Sequence, residues 1–255
     1  MSLKAVLFDF NGIIINDESI HERLIAELLL TENLRSQPDE IRKFSLGRSD
    51  RACLTDLLTY RDRAVTNAYL DQLIERKSIS YRNYLEQLAQ LPLYPGLEKL
   101  LQQLQAADLK LAIVTGALRA EVELVLTRSG LKEYFPIIVA GDEITLSKPE
   151  PEGYLLGLQR LNQAYPHLNL QPSECLAVED TCVGITAARR AGMQVIGVAH
   201  TYPLHILQRW QIGPLIASVI SNLSGCKKYF YRNLCNLRFS CVTIVNRSQR
   251  SFLTL

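Results

Sequence analysis

Leu3-Lys4-Ala5-Val6-Leu7-Phe8 followed by Asp9-Phe10-Asn11-Gly12 is the stretch on which the fold turns. A short apolar run that stops at a carboxylate reads as a parallel strand buried on both faces, with polar residues gathered just past its end. The next segments have helical spacing: 18–31, 49–59 and 63–89, the last two free of internal Gly or Pro. Leu93-Tyr94-Pro95-Gly96 closes that block. Thereafter helices and strands alternate. Helices at 97–107, 117–129, 151–163 and 182–192 precede strands at Leu109–Thr115, Ile137–Ala140, Cys175–Val178 and Gln194–Val198. This alternation predicts an α/β core, a Rossmann-like, doubly wound parallel sheet covered by helices on both faces. The helical block interrupts it after the first strand. The expected division is therefore a core of 1–15 and 93–208, an inserted α-helical cap of 16–92, and a tail of 209–255.

The chain has 255 residues, 47% apolar and 21% charged, which is enough for a full core. No apolar run reaches the roughly 18 residues of a membrane span. The first apolar run breaks at Asp9 without a signal-peptide pattern, and the six cysteines have no CxxC spacing. A cytoplasmic protein is expected. The net charge of +2 conceals an asymmetry: residues 209–255 hold seven Lys or Arg and no Asp or Glu, leaving the preceding residues at −5.

In an open parallel sheet the ligand site lies beyond the carboxyl ends of the strands. Asp9 and Asn11, Thr115-Gly116, Lys148-Pro149 and Glu179-Asp180 all fall there. Singly, each has a plain reading as a turn, a helix cap or a solvated loop. Together they point to phosphate chemistry. Clustered carboxylates repel one another unless a cation sits among them, and hard oxygen ligands suit Mg²⁺. A lysine and a hydroxyl can hold a phosphoryl group, and a carboxylate can attack it.

These motifs resemble those of the haloacid dehalogenase superfamily, in its β-phosphoglucomutase-like branch with a helical cap. They are Val6 to Gly12, Ile113-Val114-Thr115-Gly116, Ser147-Lys148-Pro149-Glu150-Pro151-Glu152 and Val178-Glu179-Asp180-Thr181-Cys182-Val183-Gly184-Ile185. The resemblance spans about residues 3–205. It implies that Asp9 is the nucleophile, and that Asp9, the Asn11 backbone carbonyl and Asp180, with Glu179 close by, bind Mg²⁺. It further implies that Thr115 and Lys148 hold the phosphoryl oxygens. In the cap, His21, Lys77 and Arg48 fall where that group meets its substrate, with the arginine displaced by a residue or two. Gly116 and Arg119 belong to the core's substrate loop, which reads Gly-Ala-Leu-Arg and lacks the polar pair with which a mutase grips a second phosphate.

The implied activity is that of a phosphatase or phosphomutase on a small phosphorylated metabolite, a sugar phosphate, through an aspartyl-phosphate. The partner is that metabolite; no nucleic acid or membrane is expected, and the chain is read as a monomer. One departure opens a second reading. The family normally carries Asp, not Asn11, two residues after the nucleophile, where the carboxyl group shuttles a proton. An amide cannot do so, unless His21 or Glu18 takes over. The alternative is thus a catalytically weakened phosphometabolite-binding or regulatory protein. The tail departs as well. Read from the third base of each codon, permitted codons from Arg209 onward can spell Leu-Ala-Asn-Trp-Ala-Ile-Asp-Ser-Ile-Ser-Asp, close to the usual family ending. Residues 209–255 are therefore read as the product of a frameshift, adding little to function.

Overall fold

The computed structural model describes residues 3–37, 39–203, 206–207 and 242–245. Five parallel strands form the sheet's centre: β1 (Ala5–Phe8), β2 (Lys110–Val114), β3 (Ile137–Val139), β4 (Cys175–Glu179) and β5 (Gln194–Val198). With β6 (Val242–Val245), which runs antiparallel to β5, the order is β3-β2-β1-β4-β5-β6. β1 thus lies centrally, with Phe8 in register with Ile113 on one side and Val178 on the other. That register brings the residues following three strands to one edge of the sheet, where the order reverses.

Side chains alternate between two cores, as the two-residue period of a strand requires. Val6 and Phe8 pack with α5 (Leu97–Ala106) and α6 (Arg119–Ser129). Ala5 and Leu7 pack with α7 (Glu152–Ala164) and α8 (Cys182–Arg190) on the opposite face. This is the doubly wound arrangement.

Between β1 and α5 come α1 (Glu18–Thr31), α2 (Glu40–Ser45), α3 (Asp50–Tyr60) and α4 (Asn67–Gln87). They enclose a third apolar cluster that includes Ile25, Leu29, Leu54, Leu57 and Leu73. Of these helices, α2 was not anticipated: six residues are too few for a periodic apolar signal. The two chain crossings between this block and the sheet hold each other, because Asn16 N–H donates to Pro92 O at 2.8 Å and Tyr94 N–H to Ile14 O at 3.3 Å. Among the described residues no helix is long and apolar enough to cross a membrane. Apart from the β6 backbone, the reading of the tail lies outside the described residues.

Candidate active site

Asp9 directly follows β1, and its backbone N–H bonds Val178 O at 2.9 Å, so the sheet ladder itself fixes it. Its Oδ1 accepts from the Phe10 N–H at 2.8 Å and lies 2.9 Å from Lys148 Nζ. Gly12 then turns with φ of +74°, and a Cβ there would stand 1.9 Å from Asp180 Oδ2. Only glycine lets the chain pass this close to the carboxylate.

Lys148 is buried and also donates to Glu179 Oε1 at 2.7 Å. Burial pulls its pKa down, but Asp9 and Glu179 more than reverse this, so it stays charged. Glu179 Oε1 also accepts from Tyr154 OH at 2.6 Å. Burial, and then repulsion from Asp9, push Glu179 up to about 7. Asp180 is raised by burial, Asp9 and Glu179, in that order. Thr201 donates to its Oδ2, whereas its buried Oδ1 has no hydrogen-bond partner among the described residues.

Oxygen atoms of Asp9, Glu179 and Asp180 lie within 4.8 Å of one another. An unpartnered buried oxygen in a cluster of three carboxylates, with Glu179 and Asp180 raised in proton affinity, fits a hard divalent cation. Thr115, buried at the end of β2, accepts the Ala117 N–H at 3.0 Å, leaving its own proton for another acceptor.

Asn11 sits in the loop after Asp9, and its Nδ2 donates to Asp17 Oδ2 at 2.9 Å. His21 Nε2 is 3.1 Å from the same amide nitrogen and 3.2 Å from Asp17 Oδ2. Tyr81 OH, from α4, donates to that oxygen too, and its ring stacks on His21 at 4.5 Å between centroids. Burial and Lys77 lower the His21 pKa, but Asp17 carries it above the ordinary value. Glu18 is pushed up to about 7, chiefly by burial, against the pull of His21 and with Asp17 and Asp9 adding to it.

One pocket is lined by Asp9, Asn11, Glu18, His21, Arg48, Asp50, Lys77, Gly116 and Ala117. Lys148, Glu179 and Asp180 cluster around Asp9 as described, and Thr115 directly follows the neighbouring strand β2. Of the expected substrate contacts, one lies outside this pocket and two line it while ion-paired. Arg119 lies outside this pocket, donating to Ile138 O at 2.9 Å and pairing with Glu143, so it covers the open edge of β3. Lys77 lines the pocket, but its ammonium is held by Asp50 at 2.8 Å and Glu121 at 3.4 Å. Arg48 lines it too, paired with Asp56 at 2.7 Å.

Sequence reasoning passed over Asp17, Asp50, Tyr81, Glu121 and Tyr154. For Asp17 a signal existed: its i,i+4 spacing to His21 puts the two on one helix face. Tyr81 and Glu121 carried none, since both read as ordinary helix residues.

A family model described as haloacid dehalogenase-like hydrolase matches residues 6–198. Validoxylamine A 7'-phosphate phosphatase of Streptomyces hygroscopicus subsp. limoneus is 28% identical over 204 residues, 80% of this chain and 89% of that protein. β-Phosphoglucomutase of Bacillus subtilis is 28% identical over 207 residues, 79% of this chain and 86% of that protein. The crystal structure of β-phosphoglucomutase from Clostridium difficile superposes with a TM-score of 0.72 at 19% identity, covering 92% of this chain and 99% of that one, which is a likeness of fold.

Proposed function

The chain belongs to the haloacid dehalogenase-like hydrolase family, and from that membership we propose that it is a Mg²⁺-dependent phosphohydrolase of small sugar phosphates. The observation that carries this reading is Lys148 set between Asp9 and Glu179, at 2.9 and 2.7 Å, behind the Asp9 that lines the pocket together with residues of the inserted helices. A buried ammonium beside a strand-end carboxylate offsets its charge and attracts a phosphoryl dianion. The curated relatives, a phosphatase and a mutase of phosphorylated compounds, support the same substrate class.

An Asp9 oxygen attacks phosphorus, and the bond from phosphorus to the leaving oxygen breaks. That oxygen departs with the bond pair and takes a proton. Water then attacks the aspartyl-phosphate at phosphorus, releasing inorganic phosphate and restoring the Asp9 carboxylate. Lys148 and the Thr115 hydroxyl hold the equatorial oxygens through both steps, where positioning and charge neutralisation provide most of the acceleration. Asp9, the Asn11 carbonyl and Asp180, with Glu179 alongside, would hold Mg²⁺, which supplies further neutralisation of phosphoryl charge.

Asn11 limits this scheme. Its amide has no proton to exchange at neutral pH, so proton transfer to a poor leaving group is unassisted from that position. A weakened enzyme that holds its phosphorylated ligand longer than it turns it over is the second reading, and the Asn11 to Asp17 hydrogen bond favours it. Release of phosphate from an aryl phosphate with Mg²⁺, measured for the parent and Asp9→Ala, tests the scheme. Turnover that survives Asp9→Ala would sink it.

A further inference from the structure

The segment that follows β5 reaches back to the turn after Asp9. His200 lies two residues past the end of β5, and its Nδ1 is 2.6 Å from the Gly12 carbonyl oxygen. A carbonyl oxygen only accepts, so Nδ1 carries the proton and donates it. The next residue, Thr201, donates to Asp180 Oδ2. Two adjacent side chains thus hold the turn beside Asn11 and the carboxylate of Asp180.

Gly12 needs this restraint. Its φ of +74° is left-handed, and glycine has more backbone freedom to lose than any other residue. The Asn11-Gly12 peptide is trans, so the Asn11 carbonyl points away from the Gly12 N–H, which donates to Ile15 O at 2.8 Å. That bond sets the direction of the Asn11 carbonyl. The His200 bond sets the following peptide, so both peptides flanking Gly12 are held. On Asp180, Thr201 takes Oδ2 and leaves Oδ1, which has no hydrogen-bond partner among the described residues, for a cation.

Tyr94 holds the imidazole in turn. Its ring stacks on His200 with centroids 3.9 Å apart and planes 7° from parallel. Its backbone N–H donates to Ile14 O at 3.3 Å, in the same loop as Gly12. Stacking fixes the plane of the imidazole, and with it the direction of the Nδ1–H bond.

Building on the phosphohydrolase reading and its Mg²⁺ site, we propose that His200 and Thr201 are positioning residues that preset the Asn11 carbonyl and the Asp180 carboxylate for the cation, with Tyr94 holding His200 in place. They act through the ligands and not on the reacting atoms. Their effect falls on cation affinity, because a turn that is already ordered loses little freedom when the ion binds. A merely structural role would show instead as lost stability in chelator, with the Mg²⁺ affinity of the folded protein unchanged.

The test measures Mg²⁺ binding to the full chain by calorimetry, beside melts in chelator and phosphate release from p-nitrophenyl phosphate at graded Mg²⁺. His200→Phe keeps an aromatic ring on Tyr94 and removes the donor. His200→Asn keeps a donor nitrogen near the place of Nδ1 and removes the stack. His200→Phe should weaken Mg²⁺ binding by about tenfold or more, and His200→Asn should recover at least about threefold of that loss. Thr201→Val, which exchanges the hydroxyl for a methyl group, should also weaken binding by about tenfold. In each variant the kinetic change should fall on the Mg²⁺ requirement rather than on KM for the ester. Mg²⁺ affinity within about twofold of the parent in both His200→Phe and Thr201→Val overturns the inference and leaves the phosphohydrolase reading standing. An equal loss in His200→Phe and His200→Asn overturns the role of the His200 bond. If His200→Phe shows no cooperative melt in chelator, Thr201→Val decides by the same criterion. A parent that binds no Mg²⁺ overturns the inference as well; if it also releases no phosphate, the phosphohydrolase reading falls with it.

Discussion

The Asn11 amide nitrogen lies 2.9 Å from Asp17 Oδ2, so the carboxamide beside the nucleophile is tied to a buried carboxylate at the foot of the cap. The pairing fixes which way the amide points, since its oxygen facing a carboxylate oxygen would be repelled. Asp17 Oδ2 is also reached by Tyr81 OH and lies 3.2 Å from His21 Nε2, so core and cap converge on one atom. Asp17 Oδ1 is buried and has no hydrogen-bond partner among the described residues.

Asp9→Asn should lower phosphate release by on the order of 10⁴-fold or more, because the nucleophile has no substitute beside it. The fold should persist: the backbone bond to Val178 is unaffected, and Lys148 keeps Glu179. Aryl phosphate assays paired with thermal melts check this. A variant that is inactive only because it is unfolded would show no cooperative melt.

Without metal, the crowding of Asp9, Glu179 and Asp180 should weaken the protein, and Mg²⁺ should raise its melting temperature. Asp180→Asn should melt higher than the parent in chelator and gain little from Mg²⁺. Equal Mg²⁺-induced shifts in the two proteins would remove Asp180 from the ligand set.

The same groups give a pH dependence. Glu18 and Glu179, both pushed up to about 7, hold protons in the folded state that the unfolded chain releases from its ordinary value of 4.5. The folded state therefore binds more protons between those values, and stability must fall as pH rises through that window. Glu18→Gln should flatten part of the fall. Melts in chelator from pH 4.5 to 8 test the sign; stability that rises across the window would contradict it.

The sheet was legible because β1 is buried on both faces, and its apolar run could only end where Asp9 meets the pocket. The carboxylate cluster was legible because Asp9 follows β1 while Glu179 closes β4 and Asp180 follows it. The cap's contribution was not. Whether Lys77 faces a ligand or a carboxylate depends on Asp50, 27 positions away, and Glu121, 44 positions away. Nothing local to Lys77 registers either. Arg119 was misread for the same reason, since Glu143 lies 24 positions on.

Gly116→Ala should loosen the cap. A Cβ there would lie 2.7 Å from the Arg48 carbonyl carbon and oxygen and 2.8 Å from Ser49 N, all backbone atoms that cannot swing aside. The loop carrying Arg48 must then lift from the core, where Ser49 N–H now donates to Ser147 Oγ at 2.8 Å. KM should rise by about tenfold, because a displaced cap positions substrate less well, while the melting temperature changes little. Unchanged KM would show that the two loops separate without consequence for binding.

Asn11→Asp is the most informative exchange. It places two carboxylates about as close as the present 2.9 Å contact with Asp17, and such a pair retains one proton where two isolated acids would lose both. The new side chain then has a proton to give the leaving oxygen and a base to accept one from water. Positioned acid–base help is worth about 10²–10⁴-fold, so sugar phosphates, whose alkoxide leaves poorly, should gain by that order. p-Nitrophenyl phosphate, which needs little protonation, should gain far less. Asn11→Asp combined with Asp17→Asn separates the roles: it keeps the new acid while removing the carboxylate that holds its proton, so the gain should shrink at neutral pH. Intact-mass measurement must first confirm that residue 11 of the parent is still an amide, because a following glycine leaves the Asn11-Gly12 step poorly shielded against deamidation. A large, leaving-group-dependent gain supports the weakened-enzyme reading. Equal or lower activity on sugar phosphates would show that this site moves its proton through another group, and Glu18, which lines the pocket with a pKa near 7, would be the next residue to replace.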